Sequence, residues 1–156
     1  MPLSHIDENA NPTMVDVGDK LITRRTATAR SLVLLPPAVL EALQDGEIKT
    51  KKGPVFHTAI IAGTMGAKKT SELIPFCHPL GLDSCKFKIE VMGNQVQIDC
   101  TCALEAKTGV EMEALTGASI AALTIYDMCK ALSHDIVIQE TRLLTKTGGK
   151  SDFQSK

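Results

Sequence analysis

Thr108-Gly-Val-Glu-Met-Glu-Ala-Leu-Thr-Gly-Ala-Ser-Ile-Ala-Ala-Leu-Thr-Ile-Tyr-Asp-Met-Cys-Lys130 reads as one long helix around which the other elements are arranged. Thr108 followed by Glu111 has the form of a capping box, in which each side chain bonds an orphan backbone N–H. After Leu115 the residues are nearly all Ala, Gly, Ser, Thr, Leu and Ile, so neighbours can grip the helix closely. It falls short of the roughly 20 uninterrupted apolar residues that cross a bilayer. Its charges stand at the ends: Glu111 and Glu113 in front, Asp127 and Lys130 behind. Asp127 and Lys130 are spaced i, i+3 and share a face. Glu113 and Asp127 point within about 40° of each other but lie roughly 21 Å apart along the axis. Surface ion pairs are ordinarily solvated decoration. This one ends a helix whose middle reads as buried, which favours a partly desolvated acid–base pair with a perturbed pKa.

Downstream, residues 136–144 read as a last strand and 145–156 as a Gly- and Lys-rich tail. Upstream, residues 95–105 and 86–91 alternate as strands, and Gly93-Asn94 between them suits a tight hairpin. Ile74-Pro-Phe-Cys-His-Pro-Leu80 is a loop stiffened by two prolines. A second helix over residues 55–73 starts at Pro54, carries Ala59, Ala62, Gly63, Gly66 and Ala67, and stops at Pro75. Residues 49–52 form a basic loop ending at Gly53, and Pro36-Pro37 opens a short helix closed by Asp45-Gly46. Residues 22–35 are the first strand.

The order is strand, two helices, two strands, helix, strand. It predicts an α+β fold of the ferredoxin-like split βαβ kind: an antiparallel four-stranded sheet with the helices packed on one face. The other sheet face then needs cover, and the Ala- and Gly-rich flanks offer more close packing than one small domain requires; both point to an oligomer. Residues 1–12 and 152–156 are expected to be mobile, with residues 13–151 forming one domain.

The 156 residues include four Phe, one Tyr and no Trp, too few for base stacking along a single strand of nucleic acid. A net charge of −1 leaves no electrostatic footprint for nucleic acid or membrane. The N-terminus lacks the basic start and apolar run of a signal peptide. Five cysteines, an odd number without a Cys-x-x-Cys, read as reduced thiols of a cytoplasmic protein. Cys100 and Cys102 face the same way on a strand as small core residues.

His78 stands on the Pro-fixed loop, where an imidazole serves as a substrate contact or proton carrier. Cys77 beside it supplies no zinc-like spacing, so no metal is expected. His5, His57 and His134 read as incidental. The cations are spread over element ends: Arg24, Arg25, Lys49, Lys51, Lys52, Lys68, Lys69, Lys107, Lys130, Lys146 and Lys150. Most must be solvated surface; the alternative is convergence of several on a polyphosphate. There is neither a P-loop nor a Gly-x-Gly-x-x-Gly, which sets aside the ordinary nucleotide folds.

Met14-Val-Asp-Val17, Lys69-Thr-Ser-Glu-Leu-Ile-Pro-Phe-Cys-His-Pro-Leu80, Lys107-Thr-Gly-Val-Glu-Met-Glu-Ala-Leu-Thr116, Ala121-Ala-Leu-Thr-Ile-Tyr-Asp-Met-Cys-Lys130 and Arg142-Leu-Leu-Thr-Lys-Thr-Gly-Gly-Lys-Ser151 are long, specific motifs. Together they resemble the molybdenum cofactor biosynthesis protein C family, the cyclic pyranopterin monophosphate synthases. The resemblance runs from residue 14 to residue 151. It implies a lyase that converts 3′,8-cyclo-7,8-dihydro-GTP into cyclic pyranopterin monophosphate with release of pyrophosphate, using no cofactor. It also implies a homo-hexamer, a trimer of dimers with sites between subunits. By the same resemblance Asp127 and Lys130 are the acid–base pair and Lys52 is a catalytic lysine. Phe76, Cys77 and His78 form a substrate-binding loop in which His78 is also catalytic. Met112 and Glu113 make a second substrate contact, with catalytic Glu111 close by. Arg25, Lys68, Lys107 and Lys146 surround the triphosphate.

Two other readings stand beside it. One is a non-catalytic ferredoxin-like binding module whose charges serve oligomer interfaces. It would leave Asp127, Lys130, His78 and Lys52 without a common pocket in the assembly. The other is phosphate-ester hydrolysis, which a carboxylate cluster for paired metals would favour and which the sequence lacks.

Overall fold

The computed structural model describes residues 3–156; residues 1 and 2 of the expected mobile leader lie outside the described residues. In chain order the elements are β1 (Thr23–Leu34), α1 (Pro37–Leu40), β2 (Leu43–Gln44), β3 (Glu47–Thr50), β4 (Gly53–Pro54), α2 (Val55–Lys68), α3 (Thr70–Leu73), β5 (Ser84–Met92), β6 (Gln95–Ala106), α4 (Glu111–Cys129), β7 (Val137–Thr147) and β8 (Phe153–Gln154). The described residues form a mixed α/β fold with antiparallel sheets and four helices.

The period-two pattern of β1 buries Arg25, Ala27, Ala29, Ser31 and Val33 on one face and leaves Thr26, Thr28 and Arg30 half-exposed on the other. β1 is the middle of a sheet ordered β5-β6-β1-β7-β8, every pair antiparallel. Four strands were expected and the main sheet has five: Phe153 and Gln154, in the segment read as tail, pair with Lys146 and Thr145. The half-exposed face is held by polar pairs, with Arg30 forked onto Asp99 at 2.7 and 2.9 Å and Thr28 bonded to Thr101 at 2.8 Å.

A core of Val33, Leu35, Val39, Ile48, Val55, Val96, Ile98, Ala121 and Ile125 lies between sheet and helices. Each fully buried Val, Leu or Ile in it contributes about 1.5–3 kcal/mol. α2 and α4 cross backbone to backbone at Gly63 and Gly117. A Cβ on Gly63 would stand 2.9 Å from the Gly117 carbonyl oxygen, and one on Gly117 would stand 2.7 Å from Cys100 Sγ. The small residues of the long helix therefore serve packing within the chain, where Gly117, Ala118, Ala121 and Ala122 are buried. The large apolar side chains left outside on these helices are Ile61, Met65, Met112 and Leu123.

Three local readings are corrected. The helix after Pro36 ends at Leu40, and Asp45-Gly46 is the turn of a β2–β3 hairpin within a second, three-stranded sheet. Both turn residues have positive φ, 52° and 74°, the type I′ pattern that Asp-Gly favours. The helix after Pro54 breaks at Lys69, so residues 70–73 form a separate turn. The capping box is absent. α4 begins at Glu111 with Val110 as N-cap, Thr108 Oγ1 is buried without a hydrogen-bond partner, and the Glu111 carboxylate turns back over Gly109 toward Lys146. An ammonium outcompetes a backbone N–H for that carboxylate. The Gly93-Asn94 hairpin is present, with positive φ at Gly93.

Pro54, the N-cap of α2, has no side chain to bond the first helical N–H groups. Glu47 takes that role from β3. Its Oε1 accepts the N–H of Phe56 and of Ile48, each at 2.8 Å, and its Oε2 accepts the N–H of His57 at 3.2 Å. Burial alone would raise the Glu47 carboxyl, but the donors Phe56, Ile48 and His57 outweigh it and hold the group below its ordinary value. Glu47→Ala is expected to cost about 1–2 kcal/mol by urea unfolding near neutral pH, the usual cost of a lost cap. Because the folded-state pKa is depressed, this contribution is present above the unfolded value of about 4.3 and fades as pH falls through the folded one. The difference between wild type and variant should therefore shrink in acid.

Candidate active site

The β3–β4 hairpin carries Lys49, Lys51 and Lys52 across to the last turn of α4. Lys52 Nζ lies 3.0 Å from Asp127 Oδ2, and Lys130 Nζ lies 2.9 Å from Asp127 Oδ1. One carboxylate thus bridges two ammonium groups. Lys130 and Lys52 draw the Asp127 carboxyl below its ordinary value, Lys130 more strongly. The shift comes from pairing and not from the expected desolvation: all three side chains are about half exposed. They border a hollow of about 800 Å³ completed by Ala42, Thr50, Met128, Leu132 and His134. His134, read as incidental, is a wall of this hollow. It follows the helix end in Ser133-His-Asp135, where no periodicity marks it.

A second hollow, about 190 Å³, opens at the other end of α4. Arg25, Glu111 and Lys146 line it, as three of the expected residues, together with Lys20 and Lys150. Lys146 Nζ is 3.1 Å from Glu111 Oε1. Arg25 is 9% exposed; its Nη2 donates to the Lys107 carbonyl at 3.0 Å and its Nε is buried without a partner. Three further cations, Lys20, Lys146 and Lys150, thus stand with Arg25 around one carboxylate, Glu111, and leave the lining net positive. Lys20 gave no sequence signal beyond being a lone cation before the first strand.

The loop after α3 borders this front end. His78 Nε2 is 2.6 Å from the Val15 carbonyl oxygen, which ties the loop to the segment before β1. Burial raises the Cys77 thiol, and the negative charges of Glu113 and Glu111 raise it further, so Cys77 stays a thiol and is a poor nucleophile. Glu113 is 4% exposed, and burial, helped by Glu111, pushes its carboxyl up to about 7. Phe76, Met112, Lys68 and Lys107 line neither hollow. Phe76 lies beside His5 with ring centroids 6.4 Å apart, Lys107 Nζ donates to the Gly18 carbonyl at 3.1 Å, and Lys68 and Met112 are exposed.

Glu113→Gln tests this burial. A carboxyl whose folded-state pKa is raised contributes stability below its unfolded value, and that contribution is lost as pH rises through the folded one. Wild type should therefore lose stability between about pH 4.3 and about pH 7. The Gln variant should show a flatter profile in that window by urea unfolding at stepped pH.

Six of the expected residues thus line the two hollows, Lys52, Asp127 and Lys130 at one end of α4 and Arg25, Glu111 and Lys146 at the other, while Phe76, Cys77, His78, Lys68, Lys107, Met112 and Glu113 line neither. Sixteen residues of helix, Glu111 to Asp127, separate the two groups by roughly 24 Å. Both hollows are lined by several lysines, on a mixed α/β frame with antiparallel sheets. A family model described as MoaC family matches residues 14–149, and the chain belongs to that family. It is 58% identical over 152 residues to a cyclic pyranopterin monophosphate synthase of Xanthomonas campestris pv. campestris (strain 8004), covering 97% of this chain and 92% of that one. It is 53% identical over 166 residues to molybdenum cofactor biosynthesis protein 1 of Dictyostelium discoideum, covering 95% of this chain and 26% of that one. A molybdenum cofactor biosynthesis bifunctional protein of Synechocystis sp. (strain ATCC 27184 / PCC 6803 / Kazusa) is 51% identical over 154 residues, covering 96% and 44%. Among the described residues no helix is long and apolar enough to cross a membrane.

Proposed function

We propose that this chain converts 3′,8-cyclo-7,8-dihydro-GTP into cyclic pyranopterin monophosphate and pyrophosphate, in the cytoplasm. The observation that carries the reading at the level of the site is the Lys52–Asp127–Lys130 arrangement on the rim of the large hollow. Forming a cyclic phosphate from a triphosphate requires a substrate hydroxyl to attack the α-phosphorus, lose its proton and expel pyrophosphate. Ring opening requires further proton transfers. Asp127 fixes two ammonium groups side by side; each can donate a proton or neutralise developing negative charge. Lys49 and Lys51 on the same rim add positive charge where the phosphates approach. Lys146, Lys20 and Lys150, beside the nearly buried Arg25, offer a second anion contact at the front of α4.

The active assembly in this reading is a homo-hexamer, a trimer of dimers. Each site takes the back of one α4 and the front of another, together with the His78 loop. The separation of the two groups in a single chain supports this, as do Ile61, Met65 and Leu123 left exposed on the outer helix faces. The four long strands, in the order β5-β6-β1-β7, with α2 and α4 above them, are consistent with the ferredoxin-like split βαβ arrangement, β8 being an added edge. Incubation of the purified protein with the cyclised GTP substrate tests the activity. Equimolar pyrophosphate and pterin product are expected; unchanged substrate, with folded protein, refutes it.

A further inference from the structure

Cys100 and Cys102 stand two apart on β6 and so face the same way, with no exposed surface. Cys85, half-buried on the edge strand β5, is the register partner of Cys102. Sγ of Cys102 lies 3.9 Å from that of Cys100 and 3.8 Å from that of Cys85, and all three sulfurs lie within 4.8 Å of one another. Metal–thiolate bonds of about 2.3 Å in a trigonal plane set the sulfurs about 4.0 Å apart. A disulfide would need two of them at about 2.05 Å, roughly half the separation present.

We propose that Cys85, Cys100 and Cys102 form a three-sulfur site for one soft cation, monovalent copper, which enters past Cys85. Thiolate sulfur selects soft ions. Structural zinc takes four ligands, and among the described residues no fourth His, Cys, Asp or Glu joins the group. The surroundings fit a closed site. Leu80, Leu82, Ala114 and Ala118 pack around the thiols, and α4 roofs Cys100 at Gly117. Each coordinating thiol releases its proton to solvent and the copper stays monovalent, so no oxidant or reductant enters the step.

The test is an anaerobic titration of the reduced full-length protein with Cu(I) against a chromophoric Cu(I) chelator. One equivalent per chain is expected, with three sulfur neighbours at about 2.3 Å by X-ray absorption. Cys85→Ser should weaken binding beyond the roughly 10–100-fold cost of an outer-shell change. Cys77→Ser should leave it unchanged. Independently of any variant, Cu(I) should protect Cys85 of the wild-type chain from alkylation. The proposal is overturned by failure to compete with the chelator, by equal uptake in Cys85→Ser, by loss of uptake in Cys77→Ser or by unchanged Cys85 labelling. Formation of a Cys85–Cys102 disulfide in place of copper binding also overturns it, since the cluster would then be a redox pair.

Discussion

Lys130→Ala should abolish turnover of the cyclised GTP substrate while leaving the melting temperature within a few degrees of wild type. Lys130 is the C-cap of α4, half exposed, and its ammonium touches only the Asp127 carboxylate among the ion pairs of the described residues. Removing it takes no packing from the core. It does take one of the two ammonium groups that Asp127 holds over the large hollow, and one positioned acid or base is worth about 10²–10⁴-fold in rate. Asp127→Asn should fail to a similar degree, since Asn keeps the shape but releases both Lys52 and Lys130. Purified Lys130→Ala turning over near the wild-type rate would remove this lysine from the chemistry.

The second large effect is on stability. Gly148 ends β7 with φ of +91°, and a Cβ there would collide with the backbone carbonyl of Arg24 and crowd the Arg25 Cα. Its own carbonyl accepts the Thr23 hydroxyl at 2.6 Å, so the two chain segments are tied at that point. Backbone cannot move aside as a flexible side chain can. Gly148→Ala is therefore expected to destabilise the fold by about 2–4 kcal/mol. For a domain of this size that is a drop in melting temperature of roughly 10 °C. The same displacement would shift Arg25 and Lys146 at the small hollow. An unchanged melting temperature would mean that the β1–β7 end tolerates the side chain.

The parts of the fold legible in the sequence are those with a period or a uniform composition. β1, β5 and β6 alternate strongly enough to be placed within about two residues, while α4 was legible from its long run of small and aliphatic residues without Pro. The β2–β3–β4 sheet was not legible, because its strands are two to four residues long and carry no pattern; the Asp45-Gly46 turn was its one signal and also fits a helix end. The capping box failed for an electrostatic reason: Lys146, far off in sequence, claims the Glu111 carboxylate. At the site, the i, i+3 spacing identified Asp127 with Lys130, but Lys52 was tied to them only through the family resemblance. His134 and Lys20 enter their hollows through loop geometry that no spacing encodes. The thiol cluster was half legible: Cys100 and Cys102 share a face by period, while Cys85 joins through strand register.

The claim that each site joins the back of one α4 to the front of another is tested most directly by mixing two inactive variants, Lys130→Ala and His78→Ala, after mild dissociation. In the mixed oligomer some sites would receive His78 from one chain and Lys130 from the other, both wild type. The account predicts that conversion of the cyclised GTP substrate returns on mixing, with mixed oligomers confirmed by native mass spectrometry. Mixed oligomers that remain inactive would contradict it and leave both residues to act within one chain.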